Sequence, residues 1–379
     1  MFFHLNKGKF NDYLALLFVL VSSLILLPDS LRFAVMAMVF FLSFFIFISS
    51  LSFQPRINLG VFLLGFFILA GLMHSFLFPP LTKYAEDKRI YFYFVLSLIL
   101  FLTSHSNFYY KNYKVIFRGL FLVGIVYFFI SIGFKPSDDN ARVNEFGLNP
   151  LILAKNVALL GVLSLFIPNK KVSYIIFILS LVGVISTGSR GPFIILIFIL
   201  FIKFIMEKEY FSSFLFITIL SFILAFYELF LKFMPESFSS RLTGDALRYQ
   251  IESDSGGERI HLFKLAIDIL KDNPIWGVGL GNYSYYAPLN APHNIYLEIF
   301  VEMGLFFFLM FLFFIFKALC CGYFFVRKSN DYELKGLFFI YLFFVLSMLL
   351  DGELTIQSFL LYYLGFLFLN FYYRGKRLC

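Results

Sequence analysis

The chain has 379 residues, 60% of them hydrophobic and 14% charged. Soluble domains are about 45–50% apolar and about 25% charged, so this chain has too little polar surface to cover a soluble core, and the soluble classes are excluded. The formal net charge of +8 does not point to nucleic acid. Its basic residues sit in short clusters between apolar runs, as orientation signals do, and form no stripe on a soluble segment.

In chain order, runs apolar enough to cross about 30 Å of hydrocarbon fall near 13–28, 32–51, 58–78, 90–104, 115–134, 150–167, 172–187, 191–206, 211–232, 293–316, 334–350 and 355–373. Lipid offers no partner to an open backbone, so each of these runs must be helical. The expected fold is an all-α, polytopic transmembrane helix bundle of about twelve spans. Nine spans fill residues 1–232, a large loop with short helices fills 233–292, and three spans fill 293–379. The first run reads as a retained span and not a removed signal peptide, because no small-residue cleavage site follows it. No internal repeat stands out.

Lys and Arg set the orientation. With the N-terminus inside, the inner loops carry 17 of them and the short outer loops carry 8, namely Arg32, Lys83, Lys88, Arg89, Lys135, Arg142, Lys155 and Arg190. That bias puts both termini in the cytoplasm and the large loop outside. Cys320, Cys321 and Cys379 form neither a disulfide framework nor a metal pattern.

Within the large loop, Ile260, Phe263, Ala266, Ile267 and Leu270 recur at helical spacing, predicting an amphipathic helix over 258–271 that stops at Asn273-Pro274. Gly277, Gly279 and Gly281 then predict a flexible turn. The Gly277-Val278-Gly279-Leu280-Gly281 run is no nucleotide loop, because it follows no strand and opens no βαβ unit. His74, inside the third span, reads as a hydrogen-bonded packing residue.

Few residues could carry chemistry. Arg190 lies in the tight link Thr187-Gly188-Ser189-Arg190-Gly191. It is either an interfacial charge at a helix end or an arginine that binds a phosphate with its planar fork. Arg259 in the loop helix and Arg142 in the 135–149 loop are either solvated charges or further anion-binding groups. His293 begins the tenth span and is either interfacial or a general base. Asn294 follows it, and Glu298 stands about one turn deeper as a possible orienting partner. Glu298 and Glu302, costly inside a span, mark a face turned toward the bundle interior. Asp351 and Glu353 form an acidic outer turn that either binds sugar hydroxyls or a cation or is simply solvated. There is no DxD metal signature.

Taken in order, four stretches resemble the bacterial O-antigen ligases and O-antigen polymerases. They are Thr187-Gly188-Ser189-Arg190-Gly191, then Gly257-Glu258-Arg259 with its helix ending at Asn273-Pro274. The Gly277 to Tyr283 glycine-rich stretch follows, and then His293-Asn294 with Gly304 after nine intervening residues. A second glycine three positions after Gly304 is common in the family, and this chain has Phe307 there. The resemblance spans roughly residues 140–320.

The resemblance implies a glycosyltransferase of the bacterial inner membrane that uses no metal or cofactor, its large loop lying in the periplasm. Its donor would be an oligosaccharide on undecaprenyl diphosphate, and its acceptor a sugar hydroxyl. Polymerisation of O-antigen repeat units is the first reading. Ligation to lipid A–core is the alternative, and a lipid-linked-oligosaccharide flippase is the alternative from another class. The partners implied are the lipid-linked donor, the acceptor glycan (a lipid-linked repeat or lipid A–core), membrane lipids and a chain-length regulator, with no nucleic acid. The site implied has Arg190 and Arg259 on the diphosphate and His293 on the acceptor. Arg142, Asn294, Glu298 and Asp351 would contact the substrates.

Overall fold

A backbone in lipid must satisfy its own hydrogen bonds, and all regular structure among the described residues is helical. The computed structural model describes residues 59–90, 92–93, 107–133, 150–225, 254–287, 291–350, 364–365 and 367–369. Its helices are α1 Leu59–Leu77, α2 Asn107–Ile132, α3 Pro150–Ser164, α4 Lys170–Ser186 and α5 Arg190–Met206. They continue with α6 Tyr210–Ala225, α7 Asp254–Asp272, the single turn α8 Tyr283–Tyr286, α9 Ile295–Lys328 and α10 Tyr332–Ser347.

Eight of the expected spans coincide with described helices; the first two, most of the fourth and most of the last lie outside the described residues. Tyr113–Ile132 and Ile295–Lys328 are long and apolar enough to cross a membrane. The apolar faces point outward. On α1 the exposed residues Phe62, Phe66, Leu69, Met73 and Phe76 recur at three- and four-residue steps. On α9 Phe306, Leu309, Phe313 and Phe316 do the same. Phe66 and Phe306 meet edge to face at 6.4 Å, joining the two stripes. Water would not tolerate such stripes, which are the faces a bundle turns to lipid.

The helices run alternately between two ends. At one end the start of α2 meets the start of α10: Arg118 pairs with Glu333 at 3.1 Å, and Tyr113 donates to Asp331, the N-cap of α10. Lys170, which opens α4, pairs with Glu209 just before α6 at 3.2 Å. At the other end the Ser186 hydroxyl, closing α4, donates to the Ser131 carbonyl near the end of α2. Ile295 N–H, opening α9, donates to the carbonyl of Met348 just past α10. Lysines and arginines gather at the first end.

Three charges assigned above to outer loops are interior instead. Lys155 is buried within α3, and Lys88 and Arg89 are buried in the helical stretch 83–90. Removing them from the outer tally sharpens the charge asymmetry, even though Lys203 and Lys317 of the inner set also lie within α5 and α9.

α9 is broken. Gly304 takes φ 80° and ψ 179°, and the helix resumes at Leu305. The break opens backbone groups on both sides, and the segment after α7 closes them. Val278 N–H and Gly279 N–H donate to the carbonyls of Val301 and Glu302 at 3.0 and 2.8 Å. Leu305 N–H in turn reaches the carbonyls of Pro274 and Ile275. The span expected to end at 316 therefore continues to Lys328, because the hydropathy run was cut at Lys317, a residue the helix carries within its length.

The loop helix α7 forms close to where its periodicity placed it, but it is rotated. Leu262, Ala266 and Ile269 are the residues buried with Val278, Tyr283 and Val301, while Ile267 is 45% exposed. This helix is apolar around much of its circumference, so two overlapping stripes compete and the tertiary partner chooses between them.

Gly304→Ala should destabilise the fold strongly. The left-handed backbone alone costs about 1–3 kcal/mol, and a Cβ there would overlap the Ile275 carbonyl. Gly65→Ala in α1, with nothing within 4 Å of its Cβ, is the control. Thermal unfolding in detergent should separate the two variants, and equal midpoints would remove the break from the stability argument.

Candidate functional site

The glycine-rich segment forms the floor of the site. Residues 277–283 are all buried, and Gly277, Gly279 and Gly281 all have positive φ. It is not the flexible turn its composition suggested but a fixed wedge. A Cβ on Gly281 would lie 2.6 Å from Ala85 Cα, so only glycine lets the wedge meet the 83–90 helix.

Side chains lock the wedge in place. Asn282 accepts from Leu81 N–H at 2.9 Å and donates to the carbonyls of Pro79 and Val278. Arg89 Nε donates to the Leu280 carbonyl at 2.7 Å, and its Nη1 donates to Ser75. His74 Nε2 donates to the Trp276 carbonyl at 2.6 Å, which is the packing role expected of it. Tyr283 donates to the Leu262 carbonyl, tying α8 to α7. Burial, and then the nearby carboxylates of Glu302 and Glu298, push its phenol up from its ordinary value and keep it protonated.

Beneath the wedge lies a buried charge cluster. Lys88 Nζ donates to Glu298 Oε1 at 2.5 Å and to both oxygens of Glu302 at 2.9 Å. Both glutamates are fully buried. Burial alone would push the Lys88 ammonium toward neutrality, but the two carboxylates outweigh it and hold the pKa above that of ordinary lysine. Arg89 stands close enough to Glu302 to feel its charge, so two cations offset two anions. The interior face predicted for Glu298 and Glu302 is therefore present. Their partner Lys88 escaped the sequence reading, because a lysine between two apolar runs looks like a loop charge.

His293 takes the left-handed conformation with φ 55°. Such backbone is uncommon for a residue with a side chain, histidine being among those enriched there, and non-glycine residues held in it cluster at functional sites. Asn294 caps α9: its Oδ1 accepts from Leu297 N–H at 3.0 Å, and its Nδ2 donates to the Leu349 carbonyl at 3.2 Å. The cap explains why asparagine stands there and why the helix begins where it does.

Arg190 opens α5, half-buried, after Gly188 turns the chain at φ 71°. The N-cap Ser189 makes no side-chain capping bond, and the positive end of the helix dipole reinforces the arginine. Gly191 lies against Leu350: its Cβ would sit 3.6 Å from that side chain. The arginine motif and the histidine motif thus converge on one turn, with Gly191 against Leu350 and Asn294 bound to Leu349.

Of the remaining candidates, Arg259 lies inside α7, which begins five residues earlier at Asp254, and its side chain is outside the described residues. Arg142 and Asp351 lie outside the described residues. Phe307, in place of the second family glycine, is buried edge-on against Phe67 at 5.5 Å and His74 at 5.4 Å, filling the seam between α1 and α9.

Lys88→Met should cost about 3–5 kcal/mol, as breaking a buried ion pair from one side does. Adding Glu302→Gln should recover much of that loss by removing the charge left uncompensated. The comparison is thermal unfolding of the purified proteins in detergent. A Lys88→Met midpoint equal to wild type would show that the cluster does not hold the two segments together.

Residues 175–312 match the model of the O-antigen ligase family. The match runs from α4 into α9, takes in all four stretches of the resemblance, and includes Glu298 and Glu302 but not Lys88. None of the curated proteins compared matches the chain. On this match, residues 175–312 are similar to the O-antigen ligase family, and with the outward-facing apolar helices around them the chain is a membrane protein.

Proposed function

We propose that the protein is a glycosyltransferase that moves a glycan from undecaprenyl diphosphate to a sugar hydroxyl on the periplasmic face of the inner membrane. The observation that carries this reading is the convergence of the Arg190 and His293 motifs on the turn just past α10. In the step proposed, the acceptor oxygen attacks the anomeric carbon of the donor, and the bond from that carbon to the diphosphate oxygen breaks. The electron pair leaves with the diphosphate, and the acceptor proton passes to His293.

Arg190 and Arg259 are assigned to the charge that builds on the departing diphosphate, in a water-poor cleft where such stabilisation is strong. No step is assigned to a metal. Asn294 and Glu298 act by holding the start of α9, while Arg142 and Asp351 are assigned to the sugars. The termini are assigned to the cytoplasm, an orientation supported by the basic end of the bundle, which by the positive-inside rule faces inward.

Polymerisation of repeat units is the first reading and ligation to lipid A–core the alternative. Lipopolysaccharide banding of a deletion strain separates them. A polymerase loss leaves a single repeat on the core, whereas a ligase loss leaves the core bare.

The chemistry is tested in a purified transfer assay. His293→Ala should lower turnover by about 10²–10⁴-fold with little change in donor binding, and the acidic limb of the pH–rate profile should vanish. Arg190→Lys keeps a charge but loses the bidentate fork, so it should remain severely impaired. Wild-type rates in His293→Gln would remove the base role, and wild-type rates in Arg190→Lys would return that residue to an interfacial charge.

A further inference from the structure

The turn Pro274-Ile275-Trp276 is held by its backbone and presents its side chains outward. The carbonyls of Pro274 and Ile275 accept from Leu305 N–H, and the Trp276 carbonyl accepts from His74. The turn therefore cannot move away from the start of the unbroken part of α9 or from the last turn of α1. Yet Ile275 is 58% exposed and Trp276 is 60% exposed. A rigid turn showing its two largest apolar side chains, one of them the only tryptophan in the chain, needs something to cover it.

We infer that Ile275 and Trp276 are immersed in the outer lipid leaflet at headgroup depth, so that the large loop is seated in the membrane surface and not suspended in water above it. Two observations make lipid the occupant. The first is continuity. The exposed stripes of α1 and α9, joined where Phe66 meets Phe306, both run up to this turn, and Phe76, in the last turn of α1 that His74 ties to Trp276, is 87% exposed.

The second observation is a length. From Leu305 to Lys328, α9 has 24 unbroken residues. At 1.5 Å each they span about 36 Å, against about 30 Å of hydrocarbon. Arg327 and Lys328 close the far end, with Lys328 4.2 Å over the Phe324 ring. With those cations at one membrane surface, the near end of the ruler, and the turn bonded to it, falls at the other. Tryptophan is enriched at that depth because its ring is apolar and its N–H is polar. The wedge that carries the site floor follows directly after this turn, so the immersed pair sets the depth of the site relative to lipid phosphates.

The single tryptophan makes the test direct, and it reads depth whether or not the protein is an active glycosyltransferase. The wild-type protein is reconstituted into phosphatidylethanolamine/phosphatidylglycerol vesicles carrying a nitroxide either near the headgroup or near the acyl-chain terminus. Trp276 emission should be lost mainly to the shallow label, less to the deep one, and little to aqueous iodide. Efficient iodide quenching with no loss to either label would place the loop in water and overturn the inference. Strongest loss to the deep label would overturn it too, by moving the turn into the bilayer centre.

Discussion

The break in α9 at Gly304 is the constraint on which the rest of the outer end depends. A helix interrupted near a membrane exposes backbone groups that lipid cannot satisfy, so another segment must supply partners. The segment after α7 does so: Val278 and Gly279 in its glycine-rich stretch donate to the carbonyls before the break, and the carbonyls of Pro274 and Ile275 just ahead of that stretch accept from the N–H after it. Because that stretch must come within contact of two backbones at once, side chains are excluded at Gly277 and Gly281. The glycines of this motif are thus explained by close approach, without any phosphate in the loop.

The break also separates two functions within one helix. The part from Leu305 to Lys328 is long enough to cross the bilayer. The part from Ile295 to Met303 lies against the loop helix and carries His293 before its first turn. Lys88 fastens this shorter part from beneath by gripping Glu298 and Glu302, which are four residues apart and so lie on one face. Removing one partner would leave charge buried without compensation, whereas the intact set is near neutral. A cluster of this kind contributes position more than net stability, since an apolar replacement of the whole set would often serve stability as well. Position is what the base role proposed for His293 needs, because misplacement by about 1 Å can cost about a hundredfold in rate.

The same arrangement gives the family match its physical content. Three of the four matching stretches are neighbours in sequence and pack as one unit of wedge, loop helix and start of α9, and the turn just past α10 brings the distant arginine link beside it. Lys88 lies outside the matched region yet completes the charge balance of two residues within it.

The sequence by itself determined what hydrophobicity and local chemistry control. Apolar runs had to be helices, and a stop at Asn273-Pro274 had to end α7. Arg190 and His293 stood out as candidates because charge and imidazole are rare against so apolar a background. What only the tertiary structure decided were pairings across some two hundred residues, where no local pattern operates. Lys88 looked like a loop charge until Glu298 and Glu302 closed around it. The inward face of α7 was undecided because apolar residues cover much of its circumference, and Val301 and Tyr283 chose Leu262 and Ala266 over Ile267. The glycine run suggested flexibility because glycine is permissive in isolation. In the fold that permissiveness lets the backbone pack closely, and Gly281 against Ala85 is among the tightest points in the molecule.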